Sequence, residues 1–106
     1  MKAMVIKSFG EAEVFEITEI PKPKLKPGHV LIRVKASAVN PIDYKIRSGL
    51  LKSIAPETGV LGFDVAGTIE DIGEGVSKFI EGEDVFGCGG AVKEQSGALA
   101  EYQLVD

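Results

Sequence analysis

His29-Val30-Leu31-Ile32-Arg33-Val34-Lys35-Ala36-Ser37-Ala38-Val39, followed at once by Asn40-Pro41-Ile42-Asp43, is the stretch that decides the fold. Val30, Ile32, Val34, Ala36 and Ala38 recur at every second position and alternate with Leu31, Arg33, Lys35 and Ser37, the period of a half-buried strand. The pattern stops at Asn40. Asparagine suits a helix N-cap, Pro41 tolerates the first helical position because no amide hydrogen is needed there, and Asp43 places negative charge at the positive end of the helix dipole. A short helix is therefore predicted from Pro41 to about Ser48. Ile42 and Ile46 lie one turn apart on its inner face, and Gly49 is placed to end it in a left-handed cap.

On the N-terminal side, residues 2 to 7 and 14 to 20 form two β-prone runs around the polar Gly10-Glu11-Ala12-Glu13 connection, which predicts a hairpin. Pro21, Pro23 and Pro27 exclude a helix from the linker that follows. On the C-terminal side, Val65 to Ile72 reads as a strand with a bulge or close backbone approach at Gly67, and Gly73-Glu74-Gly75 as a turn. Asp84 to Gly87 and Ala98 to Val105 supply two more strands, separated by the glycine-rich Gly87 to Gly97 loop. The second is expected to align Ala98, Ala100, Tyr102 and Leu104 on one face. Thirteen glycines and five prolines in 106 residues punctuate the chain throughout, with no internal repeat or dividing linker. The expectation is a single, mainly β domain, a partly open barrel with one or two short helices.

Twelve Lys and Arg against sixteen Asp and Glu give a formal net charge of -4, so no basic field exists to attract a nucleic acid. No window approaches the ~18 apolar residues that span a bilayer, and Met1-Lys2 opens a strand pattern rather than a signal peptide. Neither nucleic acid nor membrane is an expected partner. Cys88 is the only cysteine, which precludes an intramolecular disulfide and makes the cytoplasm the expected compartment.

No dinucleotide loop is present. Gly87-x-Gly89 has Val92 where a third glycine would stand and Gly73-x-Gly75 has Lys78, so both stretches read as turns. A catalytic zinc needs about three well-placed donors, and one His (His29) and one Cys do not supply them. Glu81, Glu83 and Asp84 surround Gly82 and read as a solvated turn. Asn40, Asp43, Tyr44 and Lys45 differ in kind, because a strand end that delivers polar groups into a short helix is where sites gather. Spacing alone makes Asn40 a helix cap.

The order of these motifs resembles the GroES-like catalytic domain of the medium-chain dehydrogenase/reductases. Pro27-Gly28-His29-Val30-Leu31-Ile32 is similar to the entry to the family's long strand, and Ala38-Val39-Asn40-Pro41-Ile42-Asp43 with Arg47-Ser48-Gly49 to its quinone oxidoreductase branch. Gly62-Phe63-Asp64-Val65-Ala66-Gly67, Ile72-Gly73-Glu74-Gly75-Val76, Gly82-Glu83-Asp84-Val85 and Gly97-Ala98-Leu99-Ala100-Glu101-Tyr102 follow in family order. Where zinc alcohol dehydrogenases of this superfamily place a Cys ligand the chain has Asn40, and where they place Gly-His-Glu it has Gly62-Phe63-Asp64.

The resemblance implies a zinc-free enzyme that reduces a quinone or an activated C=C or carbonyl compound with hydride from NADPH. It assigns Asn40 to the catalytic centre and the nicotinamide end of the cofactor, Tyr44 as a possible donor, Phe63 and Asp64 to the substrate cleft and Asp43 to structural support. It further implies that the Rossmann cofactor domain is absent from residues 1–106, that these residues alone are inactive, and that the full-length enzyme is a homodimer. A non-enzymatic GroES-like binding or assembly module is the alternative from another class.

Overall fold

The computed structural model describes all 106 residues. The N-terminal runs form the predicted hairpin, with β1 (Lys2–Ile6) antiparallel to β2 (Phe15–Glu19), and a 3-10 turn at Ala12–Val14 occupies the polar connection. The remaining strands, β3 (Val30–Ser37), β4 (Asp64–Ile72), β5 (Asp84–Cys88) and β6 (Tyr102–Val105), make one antiparallel sheet in the order β5-β4-β3-β6. Isolated bridges Ala3 to Ala100 and Val5 to Val60 tie the hairpin to the segments that precede β6 and β4, leaving the β structure partly open.

The only α-helix, α1 (Pro41–Arg47), falls where the cap and the prolyl N1 place it. Ile46 is fully buried and Ile42 packs beside it, in a cluster with Ile6 and Leu61 that seats the helix against β1 and the loop before β4. Gly49 takes a φ of 93° and donates its N–H to the carbonyl of Ile46, closing the helix as expected. A second cluster, Val30, Ile32, Val65, Ile69 and Ala98, fills the inner face of the sheet. Gly67 is the predicted close approach, since a Cβ there would overlap the carbonyl oxygen of Arg33 on β3.

Two predicted alternations are corrected. In β3, Val30 and Ile32 are buried but so is Leu31, and Ala36 and Ala38 are exposed. Leu31 shares the face of Arg33, which the proline-rich linker crosses: Lys22 sits 3.9 Å from Glu70 and 4.1 Å from the Tyr102 ring centroid, and Arg33 donates to Glu70 at 2.6 Å. That contact with Glu70 raises the Arg33 pKa, first by the hydrogen bond and then by charge. Beyond Val34 the register with β4 slips, pairing Val34 with Gly67 and Ala36 with Ala66, so a bulge at Lys35 ends the alternation before Ala36.

The last predicted strand is shorter than Ala98 to Val105 and faces differently. Ala100 bridges to Ala3 in the hairpin, whereas Tyr102 pairs with Arg33 in the sheet, so the chain changes sheets at a bend on Glu101. The inward residues are Ala98 and Gln103, both essentially inaccessible, instead of the single set Ala98, Ala100, Tyr102 and Leu104.

Candidate functional site

The end of β3, the start of α1 and the start of β4 converge on one corner. Asp43, in the first turn of α1, is 3% exposed and shares its carboxylate between two elements. Oδ2 accepts the Asn40 backbone N–H at 2.9 Å, the acidic half of a capping box, and Oδ1 accepts the Gly62 N–H at 2.9 Å. One buried side chain thus locks the helix start to the Gly62-Phe63-Asp64 turn. Gly62 is required there, because its φ of +103° is costly with a side chain and a Cβ would lie 2.9 Å from Ser37 Oγ.

Asn40 occupies the N-cap position with extended backbone, and its side chain and that of Asp43 form the reciprocal capping box at the helix start. The Asp43 N–H also reaches the backbone carbonyl of Asn40 at 2.9 Å, and the other end of the amide, Nδ2, donates to Asp64 Oδ2 at 2.9 Å. The cap expected from spacing is thus joined by a second contact. An N-cap asparagine accepts through Oδ1, so its NH2 group stays available to bond across elements. Asp64 is itself placed by Ser37, whose hydroxyl donates to the Asp64 carbonyl at 2.9 Å.

Phe63 lies beside this pair and packs at the edge of the Ile6, Ile46 and Leu61 cluster. Tyr44 is placed on the exposed side of α1, and no hydrogen bond ties its hydroxyl to Asn40 or Asp64. The structure therefore joins Asn40, Asp43 and Asp64 directly, sets Phe63 between the core and Asp64, and leaves Tyr44 apart. From Asp64 an open groove of about 480 Å³ runs over Ala36, Ala38, Val65 and Ala66 to Phe86 and Cys88. Phe86 is 91% exposed and Val39 71%, so apolar surface borders the polar corner.

Ser37, the Gly62 N–H and Gln103 were not identified as site groups from sequence. Ser37 and Gly62 stand next to identified residues, so the strand-end signal reached their neighbourhood. Gln103 carried no signal, because the expected alternation pointed it outward.

The glycine loop from 87 to 97 spends several of its amides internally. Gly89 and Gly90 donate to the Phe63 carbonyl at 2.8 and 3.3 Å, and Gly97 to Val60 at 2.9 Å. Such amides are not available to cradle a pyrophosphate. No group of three or more His, Cys, Asp or Glu is arranged to hold a metal ion, and no helix is long and apolar enough to cross a membrane.

A mainly β, partly open domain that gathers an amide and two carboxylates where its long strand passes into its one helix defines the class structurally. Residues 26–106 match the alcohol dehydrogenase GroES-like domain, and the chain belongs to that family of medium-chain oxidoreductase domains. It is 42% identical over 107 residues to a quinone oxidoreductase of Sus scrofa, a match covering 98% of this chain and 31% of that protein. It is 38% identical over 115 residues to a chloroplastic NADPH-dependent alkenal/one oxidoreductase of Arabidopsis thaliana, covering 100% of this chain and 29% of that one. The crystal structure of an alcohol dehydrogenase superfamily protein from Novosphingobium aromaticivorans superposes with a TM-score of 0.86 at 36% identity, over 100% of this chain and 32% of that chain. The chain spans about a third of the length of these relatives.

Proposed function

We propose that these 106 residues are the substrate-side domain of an NADPH-dependent, zinc-independent oxidoreductase that reduces a quinone or an activated C=C or carbonyl compound, with the cofactor-binding domain outside this segment. The observation that carries the reading is the Asn40 amide, whose NH2 end is held by Asp64, a residue that lines an apolar groove. One Nδ2 hydrogen is committed to Asp64. The other is free to donate to an oxygen that gains negative charge as the substrate is reduced, and a donor fixed in advance stabilises that charge without reorganising. Asp64 orients the amide, Asp43 fixes the turn that carries Asp64, and Phe63 forms an apolar wall of the substrate cleft. Tyr44 remains a candidate donor only through a change of rotamer on α1.

NADPH, when bound, supplies the hydride. The residues present fit its nicotinamide end alone, through Asn40, because the chain's glycine loop uses the Gly89, Gly90 and Gly97 amides internally. Zinc independence rests on the donor set: the positions that resemble ligands are an amide and a phenyl ring, Asn40 and Phe63. We place the full-length enzyme in the cytoplasm as a homodimer.

The test compares the 106-residue chain with a version extended to the length of its relatives. NADPH titrated calorimetrically should bind only the longer protein, which should also reduce a quinone or an enone after exhaustive dialysis against chelator. Asn40→Ala in the longer protein should lower kcat by about tenfold to a hundredfold, as expected for one neutral donor at a charged oxygen. Full turnover in that variant, or one zinc per chain surviving dialysis, contradicts the reading. Sedimentation of the short chain as a stable ring would favour the assembly module instead.

A further inference from the structure

Gln103 on β6 is completely buried, an uncommon place for a side chain with two polar ends. Its Nε2 donates to the carbonyl of Gly90 at 3.0 Å and to that of Ser96 at 3.2 Å, while Oε1 has no partner. Leaving a buried carbonyl oxygen unpaired is unfavourable, and an apolar side chain of the same length would avoid that cost. The amide therefore serves geometry rather than packing. Its two acceptors stand at opposite ends of the turn between residues 90 and 96, so one NH2 group staples the loop. Gly89 packs directly on it, since a Cβ at that position would lie 2.8 Å from both Nε2 and Oε1.

The next link leads to the site. The amides of Gly89 and Gly90 both donate to the carbonyl of Phe63, the residue before Asp64. The Gly62-Phe63-Asp64 turn is thereby held from two directions, by Asp43 through the Gly62 N–H and by the loop through the Phe63 carbonyl. We propose that Gln103 is a positioning residue for the cleft. Its buried amide fixes the Gly87 to Gly97 loop, the loop fixes Phe63, and the orientation of Asp64 toward Asn40 depends on that chain of contacts. The cleft assignment rests on the function proposed above, whereas the mechanical linkage does not.

Amide exchange and side-chain resonances of the 15N-labelled chain test it. Gln103→Met keeps the length and removes both donors. Exchange at the Gly89 and Gly90 N–H groups should accelerate by about tenfold or more while the β3–β4 ladder amides keep their protection, and the Asn40 side-chain NH2 resonances should shift. Should that variant not fold, Gly89→Ala presses on the same amide from the loop side and must give the same local signature. Unchanged protection at Gly89 and Gly90 overturns the proposal. So does equal acceleration throughout the ladder, which would make Gln103 a core residue only, and so do unmoved Asn40 resonances above an opened loop. Exchange rates do not depend on turnover or NADPH binding, so the linkage and the enzymatic reading fail separately.

Discussion

The two ends of β4 are held by different means. At Asp64 the strand is tied by side chains, through Ser37, Asn40 and, one turn earlier, Asp43 on Gly62. At Ile72 it is tied mainly by backbone, with the Gly73 N–H on the His29 carbonyl and the Gly28 N–H on the Glu74 carbonyl, both at 2.8 Å. Backbone pairing suffices to end a strand. Polar side chains at the other end add what a ladder cannot, a fixed direction for groups that face the groove.

The largest expected effect tests the side-chain end. Asp43→Ala removes the acceptor of both the Asn40 and Gly62 amides at a buried position, and two unpaired donors should cost about 3 to 4 kcal/mol in urea unfolding. A loss below about 1 kcal/mol would mean that water replaces the carboxylate. At the backbone end, Gly73→Ala should cost about 2 to 3 kcal/mol, because its Cβ would overlap the Lys26 carbonyl oxygen and approach that of His29 to 2.7 Å. Neighbouring Gly75 has nothing within 4 Å and a φ of +87°, so Gly75→Ala should cost only the left-handed penalty of about 1 kcal/mol. Equal losses at Gly73 and Gly75 would remove close approach as the cause.

The smallest loss is expected at the helix cap. Alanine at an N-cap asparagine costs about 1 kcal/mol, whereas serine keeps a capping oxygen and loses only the contact that Asn40 Nδ2 makes with Asp64. Asn40→Ser should therefore lower stability by only about 0.5 kcal/mol, the worth of one partly exposed hydrogen bond. Thermal unfolding of that variant beside Asn40→Ala separates the roles: equal losses in the two would remove the cap as a contributor.

Several features were legible in the sequence because their causes are local. Asn40-Pro41 and Gly49 bound the helix, Ile42 and Ile46 supply its inner face, Gly67 marks the close approach to β3, and the motif order from Pro27 to Tyr102 identifies the family. Asn40 and Asp43 were recognisable as candidates because a strand ending in a capped helix concentrates polar groups, whereas Asp64 was reached only through the family resemblance. Tertiary structure alone decided where those groups point. The Asn40 NH2 group reaches Asp64 because Asp43, 19 residues before Gly62, ties the helix start to the turn that carries Asp64. Leu31 is buried on the face that carries Arg33, against the alternation, and Gln103 turns inward where the chain changes sheets at Glu101. Alternation encodes which residues share a face. Which face meets the core is set by partners distant in the chain, and so is the orientation that makes a cap residue a candidate for chemistry.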